Sequence, residues 1–590
     1  MLKRFEEKYG MRKEKNYLYI WLLSFLNLWV MHQYFVVHDY MEDVLFMYSY
    51  LINICTIIID VSLLLLFSLC ITFGRLRIST YMTFIITLVW SFVNVFYGRF
   101  FFHYISLSAF GQAEGLTDDV VVNSMLSGFQ WTDIYYLLSL LFFLLLIYRK
   151  RLKEIRLSWK RTFCIGIIVP FISLSFVFLV YSSYHLLNSS TRGNMALYQG
   201  RIYGLVINPT KAKNAYPNSV TYHAGVMRCL LSEMIDMLIP YDLTDEQRVK
   251  IEREYNDYRC RETNHKINQE VKNVIFILLE SFMSLSSDLI IEGKHITPFL
   301  DSLKHAEDVY YNGHVHPNIT IGESGDGQFI YMTGLLPLRA KYTVGEAKYN
   351  TIPDALPRIL EKYMNIGYSE IIVPSSLGVW QQENMNRVYG VKKCYSKKMV
   401  EGNKGEDLTD ESVFRLAMNT EKESNQPFFS MVLSISTHQP YRDFVDPSFM
   451  IDDESLPQGY RIYLNACHYA DEQIKRYFDY LKREGIYDNS LIIIASDHHA
   501  HLDAMGMEGK LSTDLPLYIV NSNIDNSRVY KGACNQLDVY TTILDILQIQ
   551  NDWRGLGYSL LNPNYHNSVS DFVYEMSEQI ILGDYFTYRK

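Results

Sequence analysis

Three apolar runs after residue 270 end on side chains able to bind a metal or carry a proton. The run VIFILLE closes at Glu280, LIIIASDHH closes at Asp497, His498 and His499, and FSMVLSISTHQP closes near His438. Carboxylates and imidazoles without thiolates suit a hard or borderline divalent ion such as Mn²⁺, Mg²⁺ or Zn²⁺. A separate segment offers a nucleophile. Ser324 lies in Ile321-Gly-Glu-Ser-Gly-Asp-Gly-Gln-Phe-Ile330, flanked by glycines and followed by an apolar helical pattern over 329–336. A hydroxyl at such a helix start can face a bound anion, and a metal ligated by it favours the alkoxide at neutral pH. One strand-end acid alone reads as a cap or surface group, but three strands sending acids and imidazoles to one edge read as a site. His499 and His501 fit the rim of that site better than a second ion.

The elements that must position these groups follow from periodicity. Continuous apolar stretches at 274–279, 370–374, 428–435, 491–495 and 517–520 alternate with amphipathic patterns such as 463–483 and 537–547. That alternation predicts an α/β domain whose mainly parallel central sheet is covered on both faces. In such sheets the binding crevice lies beyond the carboxyl ends of the strands.

The first third of the chain has a different texture. Of 590 residues 49% are hydrophobic, and they crowd into five stretches of membrane-spanning length at 17–37, 45–73, 81–102, 131–148 and 163–183. Basic residues alternate with the spans: Lys3, Arg4, Lys8, Arg12, Lys13 and Lys15 precede the first, Arg75 and Arg77 follow the second, and seven lie between Arg149 and Arg161. Loops 38–44 and 103–130 contain no Lys or Arg. The N-terminus is therefore expected inside, and with five spans the remainder outside, the cytoplasmic membrane. Asp60, within the second span, needs either a partner or a cavity. The first run is too long for a cleaved signal peptide. A net charge of -9 gives no reason to expect nucleic acid, and the eight cysteines lack metal-binding spacing. The expected division is a five-span unit at 1–183, a polar connecting segment at 184–268, a catalytic domain at 269–565 and a tail at 566–590.

These motifs, in this order, resemble the lipoteichoic acid synthase family of phosphoglycerol transferases, within the alkaline phosphatase/sulfatase superfamily. The resemblance rests on Leu279-Glu280-Ser281 after an apolar strand, on Gly322-Glu323-Ser324-Gly325-Asp326-Gly327-Gln328-Phe329 against a G-[KR]-[TS]-S-D-[AG]-[EQ]-F pattern, on Thr437-His438-Gln439-Pro440-Tyr441, and on Asp497-His498. Leu515-Pro516, Asp538 and Gly557–Leu561 fit outside the site.

The resemblance implies one divalent ion, Mn²⁺ first, on Glu280, Ser324, Asp497 and His498. It implies a covalent phosphoserine at Ser324 and substrate contacts from His438 and Trp380. The implied partners are a membrane phospholipid donor and an envelope glycan or lipid acceptor. The chain departs from the pattern at Gly325, at Glu323, where the family has a basic residue, and at 373–382, where only Trp380 of a His-x-Asp and Trp-x-Arg segment survives. A phosphoethanolamine transferase or a tethered phosphodiesterase or sulfatase-like hydrolase is the alternative, though Ser324 lacks the Pro and Arg of a [CS]-x-P-x-R sulfatase motif. A non-catalytic regulator is disfavoured because Glu280, Ser324, Asp497 and His498 are all present.

Overall fold

The computed structural model describes residues 11–38, 49–110, 128–149, 217–238, 241–259, 271–400, 408–424, 427–441, 449–524, 529–562 and 564–588, with scattered positions between 122 and 175. The chain divides into two compact units, Met1–Leu107 with Gly128–Pro240, and Ser108–Ser127 with Tyr241–Lys590.

In the first unit, four helices among the described residues are long and apolar enough to cross a membrane: α1 (Met11–Val37), α2 (Ser49–Ile71), α3 (Leu76–Phe101) and α4 (Ile134–Arg149). The fifth expected span, 163–183, falls almost wholly outside the described residues. Polar side chains on these helices find partners within the bundle. Ser91 donates to the Asn27 carbonyl at 2.6 Å, Ser139 donates to Asn27 Oδ1 at 2.9 Å, and Arg99 pairs with Asp133 at 2.6 Å. Two further helices belong to this unit, α5 (Pro217–Ala224) and α6 (Val226–Leu238). Asp60 finds its partner there: its carboxylate accepts from the N–H groups of Val226 at 2.8 Å and Met227 at 3.2 Å.

The second unit is built on an eight-stranded sheet. Its strands are β1 (Asn273–Leu279), β2 (Val309–His316), β3 (Tyr368–Ile372), β4 (Lys393–Tyr395), β5 (Phe428–Leu433), β6 (Ser490–Ser496), β7 (Leu515–Val520) and β8 (Cys534–Asn535), in the order β8-β2-β7-β6-β1-β5-β3-β4. Only β7 runs against its neighbours. Central β1 lies between β6 and β5, both parallel to it, with Leu279 opposite Ser496 and Leu278 opposite Leu433. Ending in register, these three strands deliver their following residues to one edge.

Alternate β1 side chains feed opposite cores. Val274, Phe276 and Leu278 pack in one core with α8 (Glu323–Thr333) and α11 (Leu537–Ile546); Ile275, Ile277 and Leu279 pack in the other with α9 (Asp410–Ser424) and α10 (Gln458–Arg483). Burial on both faces is why β1 and β6 read as unbroken apolar runs.

Two segments expected as a connector and a tail carry ordered structure. Helix α7 (Asp245–Arg259) stacks Tyr255 on Trp553 at 4.7 Å, and Tyr255 donates to the Asp552 carbonyl at 2.7 Å. Helix α12 (Asp571–Leu582) is capped by Ser570, and its Ser577 donates to the Leu336 carbonyl at 2.6 Å.

Candidate metal and nucleophile site

The ends of β1, β5 and β6 are tied together by short polar bonds. The Glu280 N–H donates to Ser434 Oγ at 2.9 Å, and the Asp497 N–H donates to the Leu279 carbonyl at 3.0 Å. Ser281 adopts a left-handed conformation with φ of 50°, a strain on the order of 1 kcal/mol held by its surroundings. In return its N–H donates to Asp497 Oδ1 at 2.9 Å and its hydroxyl to Glu280 Oε1 at 2.7 Å. Ser281 thus aligns both carboxylates.

His498 joins them. Its Nδ1 lies 2.8 Å from the His499 carbonyl, which can only accept, so Nδ1 carries the proton. The other nitrogen, Nε2, faces Glu280 Oε1 at 3.3 Å and Asp497 Oδ2 at 3.7 Å. Ligand atoms of Glu280, Asp497 and His498 lie within 4.8 Å of one another, all buried, the one such group of three among the described residues.

The electrostatics are those of a cation site. Burial works to raise the Glu280 carboxyl, but the His498 and His438 imidazoles outweigh it and hold it below the usual range. Asp497 is raised by burial and by the Glu280 charge beside it. Burial disfavours a charged His498, and the Asp497 and Glu280 carboxylates overcome this and raise it. Two buried carboxylates this close are tolerable only with a shared proton or a cation between them, and a divalent ion can take the place of the proton on Nε2. The donor set fits such an ion.

Ser324 completes the group. It is the second residue of α8, and its Oγ lies 3.1 Å from both Glu280 Oε2 and His498 Nε2. Asp326 fixes the approach to this helix by accepting from the N–H groups of Thr320 at 3.0 Å and Gly322 at 2.9 Å. Gly327 permits the close docking: a Cβ there would stand 2.4 Å from the Asp497 carbonyl oxygen. The Trp380 ring lies over Gly325, next to Ser324. His438 sits on a loop whose Ile435 and Ser436 N–H groups both donate to buried Asp410, at 2.7 and 3.0 Å. The structure therefore brings together Glu280, Ser324, Asp497, His498, His438 and Trp380.

Glu323 has a different place from the one its sequence position suggests. Its φ is 44°, and the side chain turns inward until Oε2 lies 3.5 Å from His498 Nδ1. Burial raises its pKa to about 7, the His498 imidazole opposing and Asp326 and Glu280 adding to the rise. Over 373–382, Gln382 donates to Asn386 at 2.9 Å. His499 donates to the Ala500 carbonyl at 3.0 Å, and burial lowers both it and His501, the latter to about 3. The supporting residues Ser281, Ser434 and Asp410 carry no signal that separates them from other small polar residues. Ser281, directly after the strand-end acid, was the most accessible of them to sequence reasoning.

Residues 272–549 match the family model described as Sulfatase. That match covers a little under half of the chain. Lipoteichoic acid synthase 2 of Bacillus subtilis is 28% identical to the chain over 322 residues, covering 51% of this chain and 48% of the relative. The chain thus spans about half the length of that relative. Lipoteichoic acid synthase of Staphylococcus saprophyticus is 23% identical over 511 residues, covering 82% of this chain and 75% of its own. Among solved structures, the lipoteichoic acid synthase LtaP from Listeria monocytogenes is 20% identical with a TM-score of 0.46, covering 57% of this chain and 97% of that one. The matched segment begins one residue before β1 and includes all the candidate site residues.

Proposed function

We propose that this protein is a membrane-anchored phosphotransferase that takes a phosphodiester head group from a membrane lipid onto Ser324 and passes it to a hydroxyl of an envelope glycan or lipid. The observation that carries this reading is the position of Ser324 Oγ, 3.1 Å from both Glu280 and His498. The motifs around Ser324, which resemble those of phosphoglycerol transferases, and relatives named lipoteichoic acid synthase support phosphoglycerol as the head group. Sulfatase action is disfavoured, because Gly-Asp-Gly-Gln follows Ser324 without the Pro and Arg that type I sulfatases need.

Glu280, Asp497, His498 and Ser324 would hold one divalent ion, Mn²⁺ first, which would lower the pKa of the serine hydroxyl and offset charge on the phosphoryl oxygens. The Ser324 alkoxide, its proton released to solvent, attacks the donor phosphorus in line, a new O–P bond forms, and the bond to the lipid glycerol breaks. His438 provides the proton that the departing diacylglycerol oxygen takes up. An acceptor hydroxyl then attacks the phosphoserine diester and gives its proton back to His438, and Ser324 is freed. Trp380, over the start of α8, bounds the space beside the nucleophile.

The basic loops support an N-terminus in the cytoplasm and the sulfatase-family domain outside, where such acceptors lie. The test incubates the full-length protein in vesicles with labelled phosphatidylglycerol and phosphatidylethanolamine separately and follows diacylglycerol. Release from phosphatidylglycerol, lost in Ser324→Ala and partly kept in Ser324→Thr, is the expected result. Release from phosphatidylethanolamine alone would replace the head group, and release from neither would replace the lipid donor.

A further inference from the structure

The helices α5 and α6 follow a path that the transfer chemistry does not explain. At the start of α5, Asn218 donates to the Phe102 carbonyl at 2.7 Å and accepts from the Tyr104 N–H at 3.1 Å, where α3 ends. One turn on, the Tyr222 carbonyl accepts from Asn53 at 2.8 Å, near the start of α2. The start of α6 then meets Asp60. Asp60 stands halfway along the apolar stretch Tyr50–Ile71, on the order of 15 Å from either end at ~1.5 Å per residue. Farther along α6, Glu233 accepts from the Leu107 N–H at 2.7 Å, back beyond the end of α3. The chain descends to the middle of a span and returns to the side from which it came.

The tip of this hairpin is built for its depth. Gly225 has φ of +92°, and a Cβ there would stand 2.8 Å from Asp60 Oδ1, so the break between the helices accepts no side chain. The first N–H groups of a helix have no partner within it, and in hydrocarbon no water supplies one. Asp60 supplies it, and the helix start in turn satisfies an intramembrane carboxylate. The return helix carries Leu231, Met234, Ile235 and Leu238 at i, i+3, i+4 and i+7, between 45% and 82% exposed, while Cys229 and Glu233 are buried. A stripe of this kind facing water is an aggregation liability, whereas on a helix rising from mid-span toward the end of α3 it suits the acyl region.

We infer that residues 217–238 form a re-entrant helical hairpin in the same bilayer as α1–α4, its Leu231–Leu238 stripe packed on lipid acyl chains in the half that holds the α1–α2 and α3–α4 connections. The inference rests on the membrane-span reading of α1–α4 and not on the transferase reading.

A photo-crosslinking amino acid placed singly at Leu231, Ile235 and Leu238 of the full-length protein, in vesicles of radiolabelled phosphatidylglycerol, tests it. Leu137 on α4 is the control for a spanning helix, and exposed Lys250 on α7 the control for a position in water. Lipid adducts at the three stripe positions equal in yield to those at Leu137, and absent at Lys250, are the expected result. Loss of adducts at Ile235 and Leu238 with Leu137 still labelled would overturn the hairpin and leave the spans standing. Loss at Leu137 as well would overturn both. Adducts at the stripe with protein in place of lipid would also overturn the inference, giving the face to a partner chain.

Discussion

Ser324 Oγ and His498 Nε2 lie 3.1 Å apart, one brought by the start of a helix and the other by the end of a strand. The orientation of His498 is set from behind, where Nδ1 faces the His499 carbonyl. Its second nitrogen is thereby committed to the space that Ser324, Glu280 and Asp497 also face. A serine hydroxyl, two carboxylates and an oriented imidazole around one point form the frame from which the predictions follow.

Metal binding is the first. The purified full-length protein is expected to bind about one divalent ion per chain, as the single donor set requires. Saturating Mn²⁺ at a hundred times its Kd should stabilise the fold by about 2.7 kcal/mol, read as a rise in Tm. Asp497→Asn and Glu280→Gln should abolish that rise. An unchanged Tm increment in both variants would place the ion elsewhere.

Stability against pH is the second, and it concerns a carboxyl far from the site. Glu421 on α9 is buried beside Tyr477, whose hydroxyl donates to it, and burial with the charge of Glu370 raises its pKa from 4.5 to about 8. The folded state therefore holds a proton that the unfolded chain releases, so this group's contribution falls as pH rises between 4.5 and about 8. Glu421→Gln keeps the acceptor for Tyr477 and removes the ionisation. Its Tm should match that of the natural protein near pH 4.5 and exceed it increasingly toward pH 8, with ~1.4 kcal/mol at stake for each pH unit of the window. A constant difference across the range would show that Glu421 does not titrate there.

Topology is the third. A periplasmic-type reporter fused after Lys590 should be active only outside the cytoplasm, and one fused near Arg156 only inside, by the distribution of basic residues. The opposite pair of results would reverse the orientation and remove envelope acceptors from consideration.

The parts of the domain that sequence patterns reveal are those buried on both sides. β1 and β6 are built on unbroken apolar runs, with the candidate ligands directly after them, and Ser430 alone interrupts the apolar run of β5. β2, reading Val-Tyr-Tyr-Asn-Gly-His-Val-His, is hidden by its Asn and Gly and by a register shift between Asn312 and Val315; near the sheet edge it needs no continuous apolar stretch. β4 and β8 have three and two residues, too few for any period to show. Charge near the nucleophile was legible, but its direction was not. Glu323 reads as an acid where the family pattern has a basic residue, beside Ser324, whereas a left-handed backbone turns it under His498. No sequence pattern announces a positive φ at a residue other than glycine. Asp60 signalled a need for a partner, and only the fold shows that the partner is a helix start 166 residues away.

The central claim is that the transferred group rests covalently on Ser324. The most direct measurement incubates the full-length protein in vesicles with phosphatidylglycerol labelled in its head-group glycerol, quenches in acid and maps the label by peptide mass spectrometry. A mass increase of one phosphoglycerol on the peptide containing Ser324, absent in Ser324→Ala together with diacylglycerol release, is the predicted result. Diacylglycerol release at an undiminished rate by Ser324→Ala, with no labelled serine in the natural protein, would contradict it.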